Sequence, residues 1–471
     1  MTVKQLFAPS DMTKGKPWEK ILVFTIPMLI GNIAQQLYNT VDSIVVGRYV
    51  GDNALAAVGS ASPILNLLLV LFMGISVGAG VMVSQYFGAK ERKELSKTIG
   101  NCIILTAIAT ILIMIIGALG IRPLLEILNT PESIIDWCTS YLMILLLGIA
   151  GVAYYNILCG ILRGLGDSIS ALVYLLIATV INIVLDIWFV AGFHMGVTGV
   201  ALATVIAQAV SAVLCFIKLC RMRDIFDMGP RYLKISSAHS LNIIRLGLPS
   251  GLTQAIFSMA MIVVQSLTNS FGELVIAANV IIMRVDGFAM MPNFSFGTAM
   301  TTYAGQNVGA RRYDRVEQGT RQGTLIAVAT STVITGLILI FGKYLMGIFT
   351  STAELVTLSA NMMKILAVGY IAMAVTQCLS GVMRGAGDTM TPMWISLITT
   401  VAIRVPLAYG ISYATRTPEL PNGAYQCIWI SLLCSWIFGA LITWLFYIKG
   451  SWKKKALAQM CIRDRVMPVI S

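Results

Sequence analysis

The chain reads as an all-α polytopic membrane protein, with twelve transmembrane helices in two six-helix lobes related by a parallel internal repeat. Three observations carry that expectation. Of 471 residues, 57% are hydrophobic and 11% charged, where a soluble domain is about one quarter charged. Apolar runs of the roughly 20 residues needed to cross a 30 Å hydrocarbon core recur along nearly the whole sequence. Short motifs return at a constant interval, which makes the second half a copy of the first.

The spans fall at 18–45, 55–84, 95–120, 134–158, 169–192, 196–218, 243–268, 276–302, 319–342, 358–382, 390–413 and 425–448. No soluble domain is left over. The net charge of +12 does not point to nucleic acid, because the basic residues alternate by side. One set of loops holds Lys14, Lys16, Lys90, Arg92, Lys93, Arg163, Lys218, Arg221, Arg223, Arg311, Arg312, Arg315, Arg384 and Lys453 to Lys455, while the other holds only Arg48, Arg122, Lys343 and Arg416. Lysine and arginine collect in cytoplasmic loops, so both termini are expected in the cytoplasm and the span count is even. The opening MTVKQLFAPSDMTKGKPWEK lacks a cleavable signal pattern, so the first span is expected to be retained.

The repeat is exact in several places. SQYFGAKERKE at 84–94 returns as GQNVGARRYDR at 305–315, and GILRGLGDS at 160–168 returns as GVMRGAGDT at 381–389, each displaced by 221 residues; Pro27 and Pro249 are 222 apart. Even numbers of spans give both halves the same orientation, a parallel repeat about an axis along the membrane normal. The expected organisation is an N-terminal segment at 1–17, an N-lobe at 18–221, a linker at 222–242, a C-lobe at 243–448 and a tail at 449–471. The RGxGD turns at 163–167 and 384–388 lack the spacing of a phosphate cradle. They read as tight helix connections permitted by Gly164 and Gly385, and no nucleotide site of the usual kind is present. Transport would then run on an ion or substrate gradient.

Intramembrane acids persist where they face protein, a cavity or a cation. The first is Asp42, in a helix whose Pro27 and Gly31 are residue types that let it bend. The second is Asp186, about six residues or 9 Å from the outer end of its span, which is close to the depth of Asp42. Tyr38 and Asn182 each lie four residues before an acid, on the same helical face, and Thr204 returns to that layer from the next span. Two carboxylates, a phenol, an amide and a hydroxyl form an oxygen-ligand site for Na⁺ or a shared proton. The bland alternative is that each acid pairs near a helix end, as Asp42 would with Arg48.

The second half does not copy this site. The repeat puts Val264 or Gln265 at the place of Asp42, Ile403 at that of Asn182 and Leu407 at that of Asp186. It carries instead Arg284 and Asp286, Gln377 and Arg404. Arg284 and Asp286 are two apart and share no face, so each is expected to have another partner, and Asp286 is the second functional candidate. Gln35, Asn156, Gln265, Asp286, Gln377 and Met290 are candidates for a substrate cavity. Methionines such as Met259, Met261, Met291 and Met300 line adaptable pockets in some proteins and merely fill cores in more. Nine scattered cysteines without CxxC spacing indicate neither disulfides nor a thiolate metal site. His194, in an outer turn, and His239, in the linker, read as solvated.

The stretches IPMLIGNIAQQLYNTVDSIVVGRYVGDNALAAVG, GISVGAGVMVSQYFGAK, AGQNVGAR and both RGxGD turns together resemble the multidrug and toxic compound extrusion (MATE) transporters, across residues 17 to 450. The resemblance implies twelve helices, a six-helix lobe on each side of a central cavity, and export of organic cations in exchange for Na⁺ or H⁺. It implies no enzyme activity. In the branch whose coupling site lies in the N-lobe, the pattern is a bending proline, a tyrosine and an aspartate on the first helix, an asparagine and an aspartate on the fifth and a threonine on the sixth. Pro27, Tyr38, Asp42, Asn182, Asp186 and Thr204 match it, and Asp42 and Asp186 would be the metal ligands if Na⁺ is the coupling ion. The other branch keeps an acid on the tenth helix, and none lies between Asn361 and Met383. The tail from Met460 has no counterpart in the pattern.

The expected function is therefore secondary active antiport of organic cations or drugs by alternating access. The setting is a bacterial plasma membrane, the protein a monomer among lipids with no nucleic-acid partner. A lipid-linked precursor flippase of the same superfamily is the nearest alternative; an intramembrane enzyme or a channel is more remote.

Overall fold

A computed structural model describes residues 8–127, 130, 132–450 and 452–456; the tail from Met460 lies outside them, as do a few helical side chains, Asp42 among them. All regular structure among the described residues is helical. In the first half α1 is Pro17–Tyr49, α2 Asp52–Gly88, α3 Arg92–Ile127, α4 Glu132–Leu147, α5 Ile149–Gly164, α6 Ser168–Asp186 and α7 Gly196–Cys220. The second half has α8 Ser237–Asn269, α9 Glu273–Gly309, α10 Tyr313–Gly347, α11 Ala353–Ala367, α12 Gly369–Gly385, α13 Met390–Leu397, α14 Val405–Ala414 and α15 Cys427–Ile448.

Ten uninterrupted spans, together with the two bent pairs α4–α5 (53°) and α11–α12 (43°), give the twelve crossings. The spans read from the sequence at 134–158 and 358–382 fall on these two bent pairs. The break follows Leu147 in one half and Ala367 in the other, one residue out of register at the 221-residue offset. Gly148 and Gly369 sit at these breaks, where a residue with little helix preference loosens the turn. The fifth and eleventh spans also contain π-helical turns, Ile187–Gly192 after α6 and Ile398–Arg404 between α13 and α14. Such turns widen a helix locally and often mark functional positions.

Contacts divide the chain into two compact units, residues 1–11 with 26–251 and residues 12–25 with 252–471. The chain thus passes from one unit to the other inside α1 and α8, within two residues of Pro27 and Pro249, and not within the polar interval 222–242. In the second unit the segment before α1 is fastened by backbone capture. Met12 N donates to Gln306 Oε1 (2.8 Å), Arg312 Nη1 to Thr13 O (2.8 Å) and Arg315 Nη2 to Gly15 O (3.0 Å). In the first unit the 222–242 interval is fastened to α3. Asp227 N donates to Ser96 Oγ (2.8 Å), and Asn101 Oδ1 accepts from Ser236 N (2.8 Å) and Ser240 Oγ (3.0 Å). His239 departs from the solvated reading: it lies in the first turn of α8, 7% exposed, with Nε2 3.0 Å from Glu94 Oε2.

Both RGxGD turns are tight connections, but by a different glycine from the one expected. Gly166 (φ 83°) and Gly387 (φ 91°) take the left-handed conformation. Gly164 and Gly385 are helical and serve close packing: a Cβ on Gly164 would stand 2.7 Å from Gly80 O, and one on Gly385 would strike Thr301 O. Asp167 closes its turn by accepting from Ser170 N (2.9 Å) and Ser170 Oγ (2.6 Å), and Asp388 does the same for Thr391 N (3.1 Å) and Thr391 Oγ1 (2.8 Å).

Candidate functional site

The first unit joins three of the five residues expected to hold a cation by side-chain contacts. Tyr38 on α1 and Asn182 on α6 converge on Thr204 of α7, and Asp186 follows Asn182 by one helical turn on α6. Tyr38 Oη donates to Thr204 Oγ1 over 3.4 Å, and Asn182 Nδ2 approaches the same oxygen at 3.5 Å. Asn182 and Asp186 are fully buried and Tyr38 is 5% exposed, so the carboxylate stands in a medium that penalises uncompensated charge. Both hydrogen bonds are at the long limit. Asp42 lies four residues beyond Tyr38 on α1; its side chain is outside the described residues.

Two features of this site were not legible in the sequence. The π turn begins at Ile187, directly after Asp186, and shifts the backbone hydrogen bonds around the acid. Gln208, one helical turn beyond Thr204 on α7, is 8% exposed, and its Oε1 is buried without a hydrogen-bond partner among the described residues. A buried amide oxygen left in this way is uncommon, and a polar residue four positions from Thr204 was the available signal. No cluster of three His, Cys, Asp or Glu side chains exists among the described residues. A cation here would be held by phenol, hydroxyl and amide oxygens together with carboxylate, a donor set suited to a hard monovalent ion or a proton.

α1 is continuous through Pro27. Gly31 faces Leu172 and Leu175, whose nearest atoms would stand 3.7 and 3.8 Å from a Cβ, so its lack of a side chain is not needed for packing. Gln35 Nε2 lies 3.5 Å from Asn39 Oδ1. The Asn156 side chain donates to Val152 O at 2.8 Å and its backbone carbonyl accepts from Ser76 Oγ at 2.8 Å.

Within the second unit, a cavity of about 20 Å³ is lined by Met261, Val264, Gln265 and Thr268 of α8, Asn279 and Asp286 of α9, Arg404 of the π turn and Trp429 of α15. Val264 and Gln265 are the alternative repeat counterparts of Asp42, and Arg404 follows Ile403, the counterpart of Asn182. The cavity therefore occupies the place in this half that the polar cluster occupies in the other. Asp286 has the separate partner expected of it: its Oδ1 accepts from Tyr370 Oη at 2.9 Å. Arg404, 3% exposed, turns two of its nitrogens to Met261 Sδ, each at 3.5 Å. Of the six substrate-cavity candidates, Gln265 and Asp286 line this cavity. Met290 is 6% exposed among the apolar core residues of this unit, and Gln377 packs against Gly297.

Outside the spans, Asp167 is 1% exposed. Burial pushes its carboxyl above the ordinary range, opposed by the two Ser170 hydrogen bonds and by Lys218, whose Nζ is 3.7 Å away.

The MatE family model matches residues 27–188 and 249–410, two segments that begin at Pro27 and Pro249 and reproduce the internal repeat. Among similar proteins, the probable multidrug resistance protein YoeA of Bacillus subtilis is 27% identical over 456 residues, covering 95% of this chain and 97% of that one. A crystal structure of MATE in the bent conformation superposes with a TM-score of 0.88 at 24% identity, over 97% of this chain and 100% of the other. An outward-facing multidrug resistance MATE family transporter of the MOP superfamily gives 0.87 at 25% identity, over 96% and 98%. With a duplicated helical fold, up to twelve spans and a family model covering both halves, the chain belongs to the MATE family of membrane proteins.

Proposed function

We propose that this protein is a multidrug efflux transporter, a secondary active antiporter that exports organic cations in exchange for H⁺ or Na⁺. The observation that carries the reading is the meeting of Tyr38 and Asn182 at Thr204, with the buried Asp186 one helical turn beyond Asn182, in the first unit. Family membership and the multidrug names of the relatives supply the substrate class. Asp186, with Asp42 on the neighbouring α1, supplies the negative charge; Tyr38, Asn182 and Thr204 supply neutral oxygens. Such a site binds its ion more tightly in one conformation than in another, and that difference is the only means by which an ion gradient can bias the two states. Pro27 lies where the chain passes between units, so a change in the α1 bend there would link ion occupancy to alternating access. By the distribution of basic loops, both termini lie in the cytoplasm of a bacterial plasma membrane, and the monomer is the working unit.

The test is gradient-driven efflux of a fluorescent organic cation from proteoliposomes, with one gradient imposed at a time. Asp42→Asn and Asp186→Asn are each expected to abolish coupled export while leaving the protein folded. Full coupled export by both variants would overturn the assignment of the site. Flipping of a lipid-linked precursor in the same vesicles, with no dye transport, would favour the flippase alternative.

A further inference from the structure

We propose that Cys159 and Cys215 of the first unit form a site of covalent modification, a dithiol that hydrogen peroxide converts to a disulfide joining α5 to α7. The site lies wholly within the first unit and is independent of which drug or ion the transporter moves.

Cys159 Sγ and Cys215 Sγ stand 3.8 Å apart, and both residues are buried. Among the eight described cysteines, all of them free, these are the two whose thiols meet. Their separation of 56 residues leaves no paired spacing in the sequence.

Two thiols in contact can simply be packed, so the helices that carry them matter. α5 and α7 run in the same direction along one seam. A Cβ on Gly148, just before α5, would strike the Val205 side chain, and one on Gly151 would stand 3.0 Å from Ala209 N. Cys159 and Cys215 follow about two turns further along the same seam. A disulfide asks for Cα atoms roughly 4.4–6.8 Å apart and sulfurs about 2.0 Å apart. On helices seated this closely, sulfurs already in contact need side-chain rotation more than a change of fold. Nor does the scaffold require thiols here: the 221-residue repeat puts Ser380 and Trp436 at the two places.

The surroundings suit the chemistry. Arg163 lies one turn beyond Cys159 on α5, and Lys218 lies three residues beyond Cys215 on α7. The pair is therefore within about 6 Å of the charged helix ends, a short path for an oxidant little larger than water. The Arg163 guanidinium acts electrostatically on both sulfurs; so does Asp167, whose own charge is engaged by Lys218 at 3.7 Å. A thiolate is the attacking species, and Arg163 is the counter-charge at hand. Cys159 attacks one peroxide oxygen, the O–O bond breaks and hydroxide leaves, giving a sulfenic acid. Cys215 then attacks that sulfur; the S–S bond forms, the S–O bond breaks and a second hydroxide leaves. The two thiol protons convert both hydroxides to water, so two electrons pass from the dithiol to one peroxide. The bond fastens α5 to the helix that carries Thr204, eleven residues before Cys215.

The experiment treats the unaltered full-length protein in detergent with hydrogen peroxide, blocks the remaining thiols with iodoacetamide, and maps digested peptides by mass spectrometry. A peptide linked through Cys159 and Cys215, lighter by two hydrogens and separated by reduction, is expected to account for most of both cysteines, with Cys102 and Cys378 still alkylated as single peptides. In Cys215→Ser the link is expected to vanish and Cys159 to be trapped as a sulfenic acid by dimedone. Cys159 and Cys215 both recovered as alkylated single peptides after treatment would overturn the proposal. So would linkage to other cysteines in preference to each other, or absence of the dimedone adduct from a folded Cys215→Ser protein. The mapping of the unaltered protein decides the matter even where the variant fails to fold. None of these outcomes bears on whether Asp186 couples export, which is read from dye efflux.

Discussion

At repeat-related places the two halves of this molecule differ in charge: the first unit buries an acid, and the second sets an arginine and an aspartate on one cavity wall. The first unit buries Asp186 one helical turn beyond Asn182, which meets Tyr38 at Thr204; the second holds Arg404 beside a thioether, with Val264 or Gln265 where Asp42 would stand. Around these divergent sites the scaffold is copied closely. Gly160 packs its α-carbon against Ser76 O, and Gly381, 221 residues later, packs against Gly297 O; Gly164 against Gly80 and Gly385 against Thr301 repeat the relation one turn on. Duplication has kept the helix seams and let the polar interiors separate. A transporter needs only one site whose occupancy follows the gradient, and the second interior is then free to carry another chemistry.

The strongest way to break this contrast is to neutralise one charge on each side. Asp186→Asn is expected to reduce gradient-coupled dye efflux by at least about tenfold, since it removes the charge that repays desolvation of the ion. Arg404→Gln, measured in the same vesicles, is expected to retain the dependence of efflux on the cation gradient. Equal loss of cation coupling in both would mean that the halves share one ion pathway and that the asymmetry is superficial.

A stability measurement sharpens the same comparison. Replacing both charges of the second cavity, with Arg404→Met and Asp286→Asn together, removes a buried cation and a buried acid at once. Such replacements are typically neutral or stabilising by about 1–4 kcal/mol. The double variant is therefore expected to melt no lower than the parent, and a large loss would show that the attraction between the two charges outweighs the cost of burying them. The copied seams should behave in the opposite way. A Cβ at Gly160 would stand 2.8 Å from Ser76 O, and one at Gly381 would strike Gly297 O, so Gly160→Ala and Gly381→Ala are each expected to cost about 1–3 kcal/mol. Unfolding in detergent would show the two losses to be alike if the seam is truly duplicated.

The spans and their repeat were legible because each depends on a long run of residues. Apolar length sets a crossing, and an interval of 221 residues recurs in several motifs. The polar cluster of the first unit was legible because intramembrane acids are rare and helical spacing places Tyr38 and Asn182 one turn before them. What escaped depends on single backbone steps. The breaks after Leu147 and Ala367 interrupt apolar runs without changing their composition. The π turns at Ile187 and Ile398 leave no periodic trace, and the Arg404 cavity is built from residues of α8, α9, α11, α15 and the π turn that no pattern connects. His239 read as a loop residue because its burial depends on Asn101 and Ser96 drawing residues 227–240 onto α3.

The smallest expected effects concern the paired turns. Asp167→Ala and Asp388→Ala each remove a side-chain acceptor from a helix start, at a cost of about 1 kcal/mol. The turns differ in their cations: Lys218 Nζ lies 3.7 Å from Asp167, whereas Lys455 Nζ donates to Asp388 Oδ1 at 2.6 Å. Desolvation holds the Asp167 carboxyl above its ordinary range despite Ser170 and Lys218. The folded chain therefore binds this proton more tightly than the unfolded chain. The group's contribution to stability is full below the ordinary carboxylate range and is lost as pH rises through the raised value. Asp167→Asn keeps the capping oxygen and removes the titration. Relative to the parent, its stability is expected to rise by a few tenths to about 1 kcal/mol between about pH 4 and pH 7, read from melting curves at the two pH values. A relative loss over that interval would mean that the charge of Lys218 outweighs burial, and the first turn would then depend on its cation as closely as the second does on Lys455.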